Sequence, residues 1–158
     1  MNRDQFLARH SRRPVQGFSS LETPARYAPD LQIEPIHLEI HAHLLISEAT
    51  ANCRVITTVK SRSPNSQSLR LDALGLSIDE VQDPDGNGLQ WSYDGTWLRV
   101  CWDEAIPAGE ERRVEVRYRV IEPLTGLHFH RPDDMVPDRP LLAVTDHETQ
   151  RARYWLPC

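Results

Sequence analysis

The stretch IHLEIHAHLLI, residues 36–46, alternates apolar and polar side chains almost without a break. Ile36, Leu38, Ile40, Ala42, Leu44 and Ile46 take one side; His37, Glu39, His41 and His43 take the other. A period of two over that length fits a β-strand with one wet face and excludes an amphipathic helix, whose period is 3.6. The pattern returns in ANCRVITTVKS, where Cys53, Val55, Thr57 and Val59 alternate, and in RRVEVRYRVIE, where Val114, Val116, Tyr118 and Val120 do.

Turn chemistry separates these runs. SPNS at 63–66 and DPDGNG at 83–88 are dense in turn residues. Asp94-Gly95, between LQWSY and TWLRVCW, predicts a hairpin with a type I′ preference. Gly75 predicts a bend between the short strands of SLRLDALGLSIDEVQ. GLHFH and LLAVT read as weaker strands, and only residues 147–155 look helical. Short strands with a turn every 8–12 residues predict an all-β fold: an antiparallel β-sandwich or saddle with a short C-terminal helix.

Residues 1–33 read as a leader, loose or strap-like, because Pro14, Pro24 and Pro29 interrupt any period. Residues 34–158 read as the β domain. The leader has no apolar stretch of the secretory kind, and no run approaches a membrane span. A formal net charge of -5 gives no nucleic-acid footprint. Neither nucleic acid nor membrane is an expected partner.

Cys53, Cys101 and Cys158 are odd in number, far apart and in no CxxC pair. Reduced thiols in a cytoplasmic protein are the expectation, with Cys53 and Cys101 on the apolar side of their strands. His37, His41 and His43 share a face with Glu39, and His128 and His130 form an HxH pair. That spacing permits a bridging metal, but nothing supplies a matched outer set of hydrogen bonds, so no metal site is expected. Arg112, Arg113, Arg117 and Arg119, alternating with Glu115, read as a solvated sheet face. No nucleophile elbow, phosphate loop or HExxH is present, so no catalytic residue is expected in this chain.

The last residues carry a sharper signal. Thr145-Asp146-His147-Glu148 is followed by Ala152-Arg153-Tyr154-Trp155-Leu156-Pro157-Cys158. This resembles the segment TQxE/Q-x(3)-ARxxFPCxDEP that closes the β-rich N-terminal domain of aminopeptidase N-type (gluzincin) zinc metallopeptidases. IEPIHLEIHAHL, LRLDALGLSIDEV and AIPAGEERRVEVRYRV are similar to that family's strands, in the same order. TGLHFH stands where the family has a GfYrS-type strand.

The resemblance implies an N-terminal domain separated from its catalytic domain. The GxMEN loop, the HExxH helix and the distal zinc-ligand Glu would lie beyond Cys158. No cofactor is implied in this chain; zinc would sit in the parent catalytic domain, and the chain alone would be inactive. The implied partners are the N-terminus of a peptide substrate and the missing catalytic domain. Glu148 falls at the family position that holds the substrate α-amino group, a task that suits a carboxylate. Asp146 replaces the family Gln and is the second candidate for substrate binding. A helix-start carboxylate is the structural alternative for Glu148.

Two other readings stay open. One is the front domain of a non-catalytic relative serving as a protein-interaction scaffold. The other is a stand-alone β-sandwich binding module. The separated-domain reading also predicts an exposed apolar patch near Tyr154–Cys158, through which the chain would self-associate.

Overall fold

The structure, a computed structural model, describes residues 32–158. The leader expected over residues 1–33, all but its last two residues, lies outside the described residues.

The described residues form nine strands: β1 (Ile33–Leu45), β2 (Thr50–Ser61), β3 (Ser66–Asp72), β4 (Ser77–Gln82), β5 (Gln90–Tyr93), β6 (Trp97–Ile106), β7 (Glu111–Ile121), β8 (Leu127–His130) and β9 (Leu142–Thr145). They pair antiparallel in three sheets, ordered β1-β2-β7-β4, β3-β6-β5 and β8-β9. The fold is the all-β antiparallel arrangement that the alternation predicts. The helical part is smaller than expected. The expected C-terminal helix is a single 3-10 turn, Arg151–Tyr154.

The core lies between the first two sheets. Register places Cys53 opposite Tyr118, Val55 opposite Val116 and Thr57 opposite Val114, all on the inner face and all buried. Leu69, Leu71, Leu98 and Val100 answer from the second sheet. Gly75, at φ +66°, turns the chain from β3 in one sheet to β4 in the other, as its position predicts. Asp83 closes the DPDGNG turn by accepting the amides of Asp85 and Asn87, each at 2.9 Å.

Some details differ from expectation. The Asp94-Gly95 hairpin exists, but a type I′ turn needs positive φ at both central residues, and only Gly95 has it (+89°). Asp94 Oδ1 instead accepts the amides of Thr96 and Trp97 at 2.8 and 2.7 Å, closing a longer loop. Cys101 pairs with Ser68 and Gln90 on the outer face of its sheet, because Leu98 and Val100 hold the inner positions. Ile46 leaves the strand for a 3-10 turn. Leu38, Ile40 and Leu44 do share the inner face, opposite Thr57, Val55 and Ala51, yet all three are exposed. β1 is the edge of its sheet, and of its residues only Ile33, at the start, belongs to the buried core.

The outer face of the first sheet is charged. Arg54 lies 3.5 Å and Arg117 2.9 Å from Glu115, and Gln82 Nε2 donates to Glu115 at 3.0 Å. Glu39 lies 3.7 Å from Arg113, and Asp79 lies 3.5 Å from Arg119. Arg113, Arg117 and Arg119 form the solvated face expected of the row, with two differences. Arg112, opposite buried Val59, lies on the other face at the start of β7. Glu115 is buried to 6% exposure under the long side chains around it.

Candidate functional site

Three backbone anchors hold the end of the chain. Asp72 and Cys158 exchange both amide bonds, at 2.7 and 3.0 Å, so the last residue extends the end of β3. The Leu74 amide donates to the Arg153 carbonyl at 2.7 Å. Trp155, Leu156 and Pro157 are buried, whereas Ala152 and Tyr154 are only half-buried. Of the apolar patch expected near Tyr154–Cys158, Trp155 to Pro157 are no part; exposed apolar surface beside Tyr154 comes instead from Ile121 and Leu124, which line a depression with it. The side chains of Trp155 to Pro157 fill the end of this domain's own core.

The segment 145–150 links β9 to the 3-10 turn and carries both candidate residues. Its entry is set by the Asp146 amide, which donates to the Gly126 carbonyl at 3.0 Å. Gly126 has φ +84°, and a Cβ there would collide with the Arg151 carbonyl and approach Trp155 Cδ1 at 3.3 Å. Only glycine lets β8 begin so close beneath the turn.

Asp146 and Glu148 play different parts. The Asp146 carboxylate accepts the Glu148 amide at 3.3 Å through one oxygen and pairs with Arg151 through the other. The Glu148 amide first, then the Arg151 and His128 charges, hold the Asp146 carboxyl below its ordinary range. Asp146 is thus occupied in shaping the loop. Glu148 is exposed, and among the described residues its carboxylate has no hydrogen bond or ion pair.

His147, between them, is exposed but packs its ring against Trp155. Trp155 Nε1 donates to its Nε2 at 2.9 Å, and the rings stack with centroids 5.7 Å apart. The residue before Glu148 is thereby pinned, and the carboxylate projects from a loop held on both sides. Glu148 does not cap a helix of any length. The following 3-10 turn has four residues, with no side-chain cap.

A zinc ion does not fit these residues. Among the described residues no three His, Cys, Asp or Glu side chains converge. His41 Nε2 donates to Glu39 at 2.6 Å instead of turning toward His37 or His43. A shallow depression of about 600 Å³ on the charged sheet face includes none of the 145–150 residues among those lining it.

No profile of a known family matches the sequence, and no curated protein matches it. Solved structures do match. The M1 zinc metallopeptidase from Deinococcus radiodurans superimposes with a TM-score of 0.64 at 22% identity, over 80% of this chain and 29% of that one. Yeast LTA4 hydrolase in complex with bestatin superimposes with a TM-score of 0.68 at 16% identity, over 96% of this chain and 24% of that one. Over those residues the fold is that of the M1 zinc metallopeptidases. The chain spans less than a third of each of these structures. A variant of the Deinococcus enzyme matches in complex with a Tyr-Ser-Ala substrate.

Proposed function

We propose that this chain is the N-terminal domain of a zinc aminopeptidase and that Glu148 binds the α-amino group of the peptide substrate. The observation that carries the reading is the contrast between the two acids. Asp146 is consumed by Arg151 and the Glu148 amide, while Glu148 is presented free from a pinned loop. An ammonium group would satisfy that carboxylate with charge-assisted hydrogen bonds. Asp146 is then a positioning residue, which revises its role as a second amine ligand. The M1 fold and the Ala152-Arg153…Pro157-Cys158 resemblance support placing Glu148 at the edge of a substrate cleft.

In this reading the zinc and its chemistry belong to the catalytic domain of the parent polypeptide. The residues of this chain bind and orient the substrate N-terminus and exclude blocked ends. Exposed Leu142 and Val144 on β9, just before the loop, would face the catalytic domain. The three free thiols fit a reducing compartment, the cytoplasm.

The test is a kinetic comparison in the parent polypeptide. Charge-assisted hydrogen bonds are worth about 1.5–3 kcal/mol, so Glu148→Ala is expected to raise KM roughly 10- to 100-fold for unblocked peptides. Discrimination against N-acetylated peptides should shrink with it. Unchanged discrimination in Glu148→Ala overturns the role of Glu148. A parent polypeptide without HExxH overturns the enzyme and leaves the scaffold reading.

A further inference from the structure

We propose that β1 is a docking edge for a second copy of this chain, the two β1 strands pairing antiparallel about a two-fold axis at Ile40. The inference goes beyond the aminopeptidase reading and does not rest on it.

The first observation is an unprotected edge. β1 is the outermost strand of its sheet, and among the described residues nothing pairs with its free side. It is 13 residues long. Natural edge strands are short, or carry Lys, proline or covering elements, because a row of free amides and carbonyls recruits other strands. β1 has no Lys or Arg; its Pro35 and its one bulge stand at its start, before Leu38, and its Glu34 and Glu39 carboxylates are engaged by Arg62 and by His41, Arg54 and Arg113.

The second observation is apolar surface at the same edge. Leu38, Ile40 and Leu44 lie on the inner face, in register with core residues of β2, yet keep 38%, 42% and 37% of their surface exposed. Ile36 keeps 45%. Large side chains on a core-facing strand are left open together, which marks a contact surface better than scattered exposed residues would.

The third observation selects the occupant. In an antiparallel self-pair, apolar residues face apolar ones only when paired residue numbers have an even sum, since a one-residue slip turns every side chain over. An axis at Glu39 would oppose two carboxylates. An axis at Ile40 sets Glu39 of each copy opposite His41 of the other, Leu38 opposite Ala42 and Ile40 opposite itself. Both polar groups already lie on one face, where His41 donates to Glu39 within the chain. The pairing would set each Glu39 carboxylate beside the imidazole of the other copy, opposite chemistry rather than like charge. This is an isologous contact, self-complementary as a two-fold axis requires. The product is one continuous eight-stranded sheet.

The test is sedimentation velocity of the 158-residue chain over about 1 to 500 µM. The expected result is a concentration-dependent monomer–dimer equilibrium. Ile40→Lys is expected to weaken it at least 10-fold with the thermal melt unchanged, because the side chain is exposed in the monomer. A second variant fixes the register. Under mild oxidation Ile40→Cys should form a covalent dimer, its disulfide mapped between two copies of position 40, while His41→Cys should not. Monomer at every concentration overturns the proposal, and is the outcome if another segment or protein covers the strand. A dimer indifferent to Ile40→Lys, or cross-linking more readily at position 41, overturns it as well.

Discussion

Trp155 donates its indole N–H to His147 Nε2 at 2.9 Å, joining a core side chain to the loop that presents Glu148. The bond requires Nε2 to be unprotonated, so the neutral ring carries its hydrogen on Nδ1. Trp155 is only 8% exposed, and its ring belongs to the core cluster. Trp155→Ala is expected to cost about 3–5 kcal/mol in urea unfolding, as large aromatic truncations do. His147→Ala is expected to cost about 1–2 kcal/mol, since it leaves the buried indole donor unpaired. It should also speed exchange of the Glu148 and Arg151 amides. An unchanged exchange rate would separate His147 from loop positioning.

Gly126 supports the same loop from beneath. Its carbonyl accepts the Asp146 amide, and its positive φ brings β8 against the Arg151 carbonyl. Gly126→Ala adds left-handed strain and a backbone collision. Together these are expected to cost about 2–4 kcal/mol. The local signature is a loss of protection at Asp146 in hydrogen exchange that exceeds the loss in β2 and β7. A melt within about 0.5 kcal/mol of wild type would show that the turn can move away freely.

Strand parity was legible where a strand is central. β7 has neighbours on both sides, and Val114, Val116, Tyr118 and Val120 point inward as their alternation requires. β1 shows the limit. Its faces follow from alternation, but Leu38, Ile40 and Leu44 stay exposed because β1 is an edge strand, and its place at the edge is a tertiary fact with no local signal. Cys101 sits in the apolar run TWLRVCW, where either parity looks plausible, and β6 resolves it outward. The C-terminal stretch is rich in helix formers, yet the exchange between Asp72 and Cys158 and the burial of Trp155 to Pro157 hold it to one 3-10 turn. The resemblance put Glu148 first and Asp146 second as amine ligands, and nothing in the spacing of the two acids tells their contacts apart. Arg151 separates their roles, and a contact at that short range is one the spacing alone does not reveal. Glu115 gave no sign of burial, because what covers it is the side chains of other strands.

Glu115 accepts from Gln82, Arg54 and Arg117 while nearly buried. Removing its carboxylate leaves these donors to find water at a covered site. Glu115→Ala is expected to cost about 1–3 kcal/mol, and Glu115→Gln, which keeps one acceptor, clearly less. Urea unfolding in low and high salt distinguishes the contributions. The alanine penalty should persist at 1 M NaCl, since a buried acceptor is screened little, whereas an exposed ion pair would fade. A penalty that vanishes with salt would mean that Glu115 acts as an ordinary surface charge.

Tyr118 and Cys53 face each other across β2 and β7, and the Tyr118 hydroxyl finds no hydrogen-bond partner of good geometry among the described residues. Burial drives the phenol far above its ordinary value of 10.0, with the neighbouring Cys53 adding to the shift. Burial likewise raises the Cys53 thiol above 9.0. For a group whose folded pKa is raised, the stabilisation is complete below the unfolded pKa and declines as pH climbs toward the folded value. Unfolded Tyr118 ionises near pH 10 while the folded residue stays neutral. Each pH unit above 10 is therefore expected to remove about 1.4 kcal/mol through this residue alone. Tyr118→Phe should abolish that share and flatten the alkaline limb of the stability curve. At pH 7 it should leave stability unchanged or raise it by up to about 1 kcal/mol, because the hydroxyl it removes is buried with only the Cys53 thiol, a weak partner, beside it. Urea midpoints at pH 7, 10 and 11 decide the matter: parallel alkaline losses in wild type and Tyr118→Phe would mean that the phenol reaches solvent and ionises in the folded protein.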